Sequence, residues 1–242
     1  MRITFLTLFP EMYEGFITTS IIRRAIEREI VEIDFVNIRD FALDRFKHVD
    51  DYPFGGGQGM ILKCQPVYDA LNSVRQDNSH VILMAAAGQT FTQAKAHDYT
   101  QYEHLIIICG HYEGIDARIY DMVDELVSIG DYVLTGGELA SMVIADSVIR
   151  LLKGSILEAS HEDESYENGL LEYPQYTKPA DFMGIKVPDV LLSGHHENIR
   201  KYRLKESLRW TMKYRPDMLE GREYTKEEKK LLVELKAEAE EE

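Results

Sequence analysis

The sequence predicts an α/β protein with a largely parallel sheet, followed by a smaller helical segment. Three observations carry this. Two uncharged apolar runs, Val81–Ala87 and Leu105–Cys109, are short, continuous and bounded by polar residues, the pattern of strands buried on both faces. Helical patterns stand between the strand patterns through the first half of the chain, as a parallel sheet with covering helices requires. After Gly154 the strand signals stop and charged helical patterns take over.

Arg2–Phe9 and Val31–Ile38 read as strands, and Ser20–Glu29 between them reads as a helix with Ile21, Ile22, Ala25 and Ile26 on one face. Arg39–Gly59 is polar and Gly-rich. Pro66 suits the first turn of a helix running to about Arg75. His80–Ala86 and His104–Cys109 are buried strands flanking a helix over Thr92–Tyr99. A short helix is expected over Ile115–Val123 and an extended segment over Leu126–Leu134. Glu138–Leu152 is helical and apolar nearly all round, so it is either central or covered in a subunit contact. Ser160–Gly169 is polar, acidic and aperiodic, which predicts a linker or mobile loop. Glu197–Tyr214 is a basic helix. Thr225–Ala239 is a charged helix whose Thr225 and Glu228 form a capping-box pattern. These elements set expected divisions at 1–160, 161–172 and 173–242.

The 242 residues carry 27 basic and 42 acidic side chains, a net charge of −15. That sum argues against a nucleic-acid partner, but its distribution matters more, because phosphate attraction decays over a Debye length. Between Arg200 and Arg215 lie seven cations and one anion, Glu206, while the C-terminus ends in acid. A basic face is therefore expected on that helix. No apolar run is long enough to span a bilayer. The N-terminus reads as a strand rather than a signal, and Cys64 and Cys109 make no disulfide framework. A cytoplasmic chain with buried thiols is the expectation.

Four loops could carry chemistry. Tyr52–Met60 holds four glycines, but it lacks the Gly-Lys-Ser/Thr of a Walker loop and the third glycine of a dinucleotide fingerprint. A tight structural turn explains it equally well. Cys109–Asp116 and Ile129–Glu138 follow strands, where α/β sheets bind ligands. Their backbone groups could read an adenine edge and ribose hydroxyls. His161–Glu164 could supply metal ligands or a general base, or simply a solvated acidic loop. His195 and His196 lack metal-ligand spacing and cysteine neighbours.

Five runs taken in order resemble the bacterial tRNA (guanine-N(1)-)-methyltransferases: Leu8–Met12, Val49–Met60, Cys109–Asp116, Ile129–Glu138, and Gly169–Pro179 with Val187–His196. The resemblance spans essentially the whole chain. It implies the SPOUT fold, an α/β parallel sheet with a deep C-terminal trefoil knot followed by a small helical C-terminal domain. Knots are rare exceptions to the rule against threading. It also implies S-adenosyl-L-methionine as methyl donor, N(1) of guanine 37 in the tRNA anticodon loop as acceptor, and a homodimer with the site at its interface. Mg2+ is a further implied cofactor, with no metal-binding residues assigned.

The resemblance places cofactor contacts at Gly110, Tyr112, Glu113 and Gly114, and at Ile129, Gly130, Asp131, Tyr132, Val133, Leu134, Gly136 and Gly137. Met84–Gly88 matches a third cofactor loop loosely, with Ala86 or Ala87 where similar proteins carry Pro. The catalytic arginine falls on Arg150. The catalytic carboxylate falls on Glu164, held in register by Ser165 and Tyr166, with Asp163 one position early as the other candidate. The family carries Asp here. Arg200, Lys201, Arg203, Lys205 and Ser165 are the expected RNA contacts. Three other readings remain open: another SPOUT RNA methyltransferase, a catalytically impaired RNA-binding homologue, and a metal-dependent hydrolase using His161–Glu164.

Overall fold

The computed structural model describes residues 1–156 and 164–241, with side chains through residue 238. The chain divides into two compact units, Met1–Leu157 and Glu158–Glu242.

The first unit is built on strands β1 (Arg2–Thr7), β2 (Glu32–Asn37), β5 (Ser79–Thr90), β6 (His104–Ile108) and β7 (Glu125–Ser128), with the short strands β3 (Asp50–Asp51) and β4 (Ile61–Leu62) between. The five long strands form one sheet in the order β2-β1-β6-β5-β7, and every pair in it is parallel. The helices are α1 (Glu14–Thr18), α2 (Ser20–Glu27), α3 (Cys64–Val74), α4 (Gln93–Tyr99) and α5 (Glu138–Ile149).

Alternation along β6 explains why its run is uninterrupted. Leu105 and Ile107 point to one core with Phe5, Tyr13 and the α5 residues Ile144, Ala145 and Val148. Ile106 and Ile108 point to a second core with Leu6, Leu83 and the α3 residues Val67, Ala70 and Leu71. Both faces are dry, so successive side chains, which alternate faces, must all be apolar. The buried His104 at the strand start bonds Thr4 Oγ1 at 2.9 Å and Ser79 Oγ at 2.8 Å.

The structure departs from the sequence expectations at several points. Strand β5 is longer than His80–Ala86 and shifts register against β7: Met84 and Gln89 both pair with Val127, so Ala85–Gly88 loop out of the ladder. A run of alanines gave no sign of that break. Of the segment expected to be extended, only Leu126–Ser128 falls in a strand, β7 (Glu125–Ser128), because Gly130 turns the chain at φ 148°. The helix expected over Ile115–Val123 is 3-10, Ala117–Met122, capped by Asp116. Helix α3 starts at Cys64, two residues early, with Pro66 still in its first turn.

In the second unit, described from Glu164 onward, a hairpin pairs β8 (Asp181–Phe182) with β9 (Ile185–Lys186). It was not foreseen from sequence. Its turn residues Met183 and Gly184 both have positive φ, 56° and 86°, as a two-residue hairpin turn of type I′ requires. Helices α6 (Asp189–Leu192), α7 (His196–Tyr214) and α8 (Lys226–Glu241) follow. Leu170, Leu208, Leu231 and Leu235 form their core. The capping box forms: Glu228 accepts from Thr225 N at 2.7 Å, and Thr225 Oγ1 accepts from Glu228 N at 3.2 Å. No helix among the described residues is long and apolar enough to cross a membrane.

Candidate active site

The carboxyl ends of β5, β6 and β7 open into a cleft of about 280 Å³, where an open parallel sheet presents loops to a ligand. Each wall comes from one strand end. The register break in β5 supplies Met84, the last residue paired before it, with Ala85 and Ala86 of the looped-out part. The β6 loop supplies Gly110–Ile115. The β7 loop supplies Ile129, Gly130 and Tyr132–Gly137, and Ala140 of α5 closes the floor. Of the cofactor positions expected from sequence, all but Asp131 line this cleft.

Glycines stand where chains touch. A Cβ at Gly88 would lie 2.3 Å from Val127 N, and one at Gly137 would lie 2.8 Å from Cys109 Cα. Gly137 N also donates to Gly110 O at 2.8 Å, which fastens the start of α5 to the β6 loop. The Gly-rich stretch that was ambiguous in sequence is part of the same construction. A Cβ at Gly59 would fall 2.3 Å from Glu113 Cγ, and Glu113 N donates to Met60 O at 3.0 Å. Tyr112 is held at φ 61°, and its hydroxyl accepts from Arg39 Nη2 at 3.3 Å.

A buried polar network underlies the cleft. Glu138, only 1% exposed, accepts from Thr7 Oγ1 at 2.8 Å, and Thr7 Oγ1 in turn accepts from Phe9 N at 3.0 Å. Its other oxygen faces His111 Nδ1 at 3.8 Å. Tyr13 Oη lies 2.7 Å from Ser141 Oγ and 3.2 Å from Cys109 Sγ. Burial drives the Tyr13 hydroxyl far above its usual pKa, with Cys109 adding to the effect. Burial likewise pushes the Cys109 thiol up to about 12. Sequence reasoning missed this network; its one visible signal was a carboxylate, Glu138, opening a mostly apolar helix.

Alanine, valine and isoleucine side chains line this cleft together with glycine-rich loops, which allow close approach to backbone polar groups. The Glu113 carboxylate lies on the same wall.

The comparisons with known proteins agree with the motifs. Residues 1–221 match the family model described as tRNA (Guanine-1)-methyltransferase TrmD. The chain belongs to the tRNA (Guanine-1)-methyltransferase family. A curated tRNA (guanine-N(1)-)-methyltransferase of Halalkalibacterium halodurans is 56% identical over 238 residues, 96% of each chain. One of Bacillus cereus is 53% identical over 241 residues, 98% of this chain and 99% of its own. Membership of this methyltransferase family makes the chain a group-transfer enzyme and leaves the hydrolase reading without support.

The remaining residues expected from the family lie as follows. Arg150 is the C-cap of α5, half-buried. At 1.5 Å per residue it stands about 15 Å along the helix from Ala140 at the cleft. Glu164 and Ser165 open a tight turn in the second unit: Glu167 N donates to Glu164 O at 3.3 Å, and Ser165 Oγ accepts from Glu172 N at 2.9 Å. Asp163 lies outside the described residues. On α7, Arg200 pairs with Glu197 and Glu227, Lys201 with Glu197, and Lys205 with Glu234 and Glu238. The Arg203 guanidinium instead stacks over the Tyr173 ring at 4.7 Å. Among the described residues no group of three or more His, Cys, Asp or Glu could hold a metal ion, so the Mg2+ expectation gains no support.

Proposed function

We propose that the protein transfers the methyl group of S-adenosyl-L-methionine to N(1) of guanine 37 in the tRNA anticodon loop. Family membership over residues 1–221 supports the reaction class. The observation that carries the reading to this chain's residues is the glycine-walled cleft at the ends of β5, β6 and β7.

The residues lining the cleft fit the donor. Met84–Ala86, Ile129 and Leu134 would bed the adenine, Gly110, Gly130 and Gly136 would admit it close to backbone, and Glu113 would lie near positive charge. When bound, the donor supplies an electrophilic methyl on a good leaving group. Everything else falls to the protein, which must hold acceptor and donor in line. Guanine N(1) carries a proton at neutral pH. Glu164 is the proposed base that removes it, a role worth ~10²–10⁴-fold, with Asp163 as the competing position. Arg150 would stabilise the charge that grows on the guanine oxygen or orient the carboxylate. The target base must leave its stack to be reached.

The proposed assembly is a homodimer with composite sites. Arg150 lies about 15 Å along α5 from the floor of its own cleft, so an arginine from a second copy completes the site more directly. Leu139 and Val143 leave an apolar strip exposed on α5, and Val133 is 95% exposed at the cleft mouth, surfaces that a partner would cover. The reading also carries the trefoil knot. Residues 173–242 are proposed as the helical tRNA-binding domain, joined to the first unit through a linker, 161–172, that carries the catalytic carboxylate.

Methyl transfer from labelled S-adenosyl-L-methionine to two tRNA transcripts, guanine or adenine at position 37, tests the reaction. Label on the guanine transcript alone, mapped to N(1), is the expected result. Label on neither transcript by a chain that binds the donor refutes it. Mixing Arg150→Ala with a variant whose cleft is blocked tests the composite site. Activity returning only in the mixture is expected; a mixture as inactive as its parents argues for sites built from one chain.

A further inference from the structure

The acidic end of the chain folds onto its most basic helix. Leu231 and Leu235 of α8 bury against Leu208 of α7, and this packing aligns charges along both helices. Arg200 Nη2 lies 2.6 Å from Glu227 Oε1. Lys205 Nζ lies 2.7 Å from Glu238 Oε1 and 3.4 Å from Glu234 Oε2. Arg209 Nη2 lies 2.9 Å from Glu238 Oε2 and keeps a second partner in Glu206. Hydrogen bonding to Lys205 and then Arg209 holds the Glu238 carboxyl below its usual range, and Arg200 does the same for Glu227. The matched family segment ends at residue 221, before any of these three carboxylates.

We propose that Glu227, Glu234 and Glu238 set the RNA selectivity of this enzyme by neutralising the α7 cations in the free protein. The inference rests on the tRNA reading above. A cation that reaches phosphate without a carboxylate neutralises it and releases a condensed counterion, the main source of sequence-independent affinity. A cation already paired with glutamate brings no net charge, so random phosphate contact gains little. An RNA whose shape also engages other surfaces can displace the carboxylates and take the cations. The α8 acids therefore subtract from binding to any RNA, and a well-fitted substrate recovers the loss. A net charge of −15 then serves discrimination rather than opposing RNA binding.

Full-length Glu234→Gln/Glu238→Gln tests this, with poly(U) as the unstructured probe and a guanine-37 tRNA transcript as substrate. Lys205 loses both carboxylates, so the slope of log K against log salt for poly(U) is expected to steepen by up to ~0.7, the value for one single-strand contact. Affinity for poly(U) should rise more than affinity for tRNA, lowering the ratio between them. Glu220→Gln/Glu223→Gln is the control. It removes equal charge from carboxylates that form no ion pair with α7 among the described residues. A poly(U) slope and affinity equal to wild type overturn the inference, as does an equal change in the control. If the double variant does not fold, Glu197→Gln/Glu227→Gln, which removes both carboxylates paired with Arg200 toward the other end of α7, is read the same way. Methyl transfer by the wild-type chain is scored separately. Active wild type with an unchanged variant slope removes this inference alone, and inactive wild type removes the reading beneath it.

Discussion

The Thr7 hydroxyl donates to Glu138 Oε1 at 2.8 Å inside the core, tying the end of β1 to the first turn of α5. Thr7 is fully buried and Glu138 nearly so. Removing the hydroxyl leaves a buried carboxylate oxygen without its donor. A hydrogen bond to a charged group is worth ~1.5–3 kcal/mol, so Thr7→Val should destabilise the protein by about that much. Urea unfolding should show a lower midpoint with an unchanged slope. An unchanged midpoint would mean that Glu138 finds another donor.

Gly88 sits at the register break within β5 where that strand meets β7, with no room for a Cβ beside Val127 N and Leu126 O. Its φ is not in the left-handed region, so the constraint is space alone. Gly88→Ala must move backbone, and that backbone continues into the Met84–Ala86 wall of the cleft. Calorimetric titration with S-adenosyl-L-methionine should show affinity falling by an order of magnitude or more, the scale of a ~1.4 kcal/mol loss, in a chain that still melts cooperatively.

If Glu164 is the base, Glu164→Gln should lower single-turnover methyl transfer by ~10²–10⁴-fold and leave donor affinity unchanged. Asp163→Asn should then cost little. The reverse pattern would move the base one residue toward the N-terminus.

The two thiols should differ. Cys109 is fully buried, and burial pushes it up to about 12; Cys64 is half-buried and raised less by the same cause. Since the thiolate is the reactive form, a disulfide reagent at mildly alkaline pH should modify Cys64 in the native protein. Cys109 should react only on unfolding. Native modification of Cys109 would show that the β6 end opens.

Acid should loosen the second unit. Hydrogen bonding to Arg200 lowers Glu197 to about 2, and Glu227 and Glu238 are lowered by their cations. A carboxyl whose folded pKa lies below its ordinary value near 4.5 stabilises the fold above that pH and ceases to as pH falls through the folded value. Thermal stability followed by circular dichroism should therefore fall from about pH 5 down through about pH 2. These groups are exposed, so the effect should be modest and shrink at high salt. Glu197→Gln should flatten the fall.

Much of the first unit was legible because its signals are local. The apolar runs of β5 and β6 carry the pattern of strands buried on both faces, and in the second unit Thr225 with Glu228 carries the pattern of a helix start. The hairpin at Met183-Gly184 was missed because its strands are two residues each, too short for any periodicity to register. The register break at Ala85–Gly88 was missed because alanine suits many conformations equally.

The sequence by itself determined much of the strand and helix alternation and the five family motifs. These follow from side-chain periodicity and steric size, properties each residue carries along the chain. Only the tertiary structure decided what those residues meet. It joined Thr7 to Glu138 across 131 positions, set the Gly-rich loop against Glu113, and laid α8 on α7 so that acid and base counted separately along the chain became ion pairs. Such pairings depend on how elements pack, and the energy that selects a packing is summed over the whole core rather than written in any one segment.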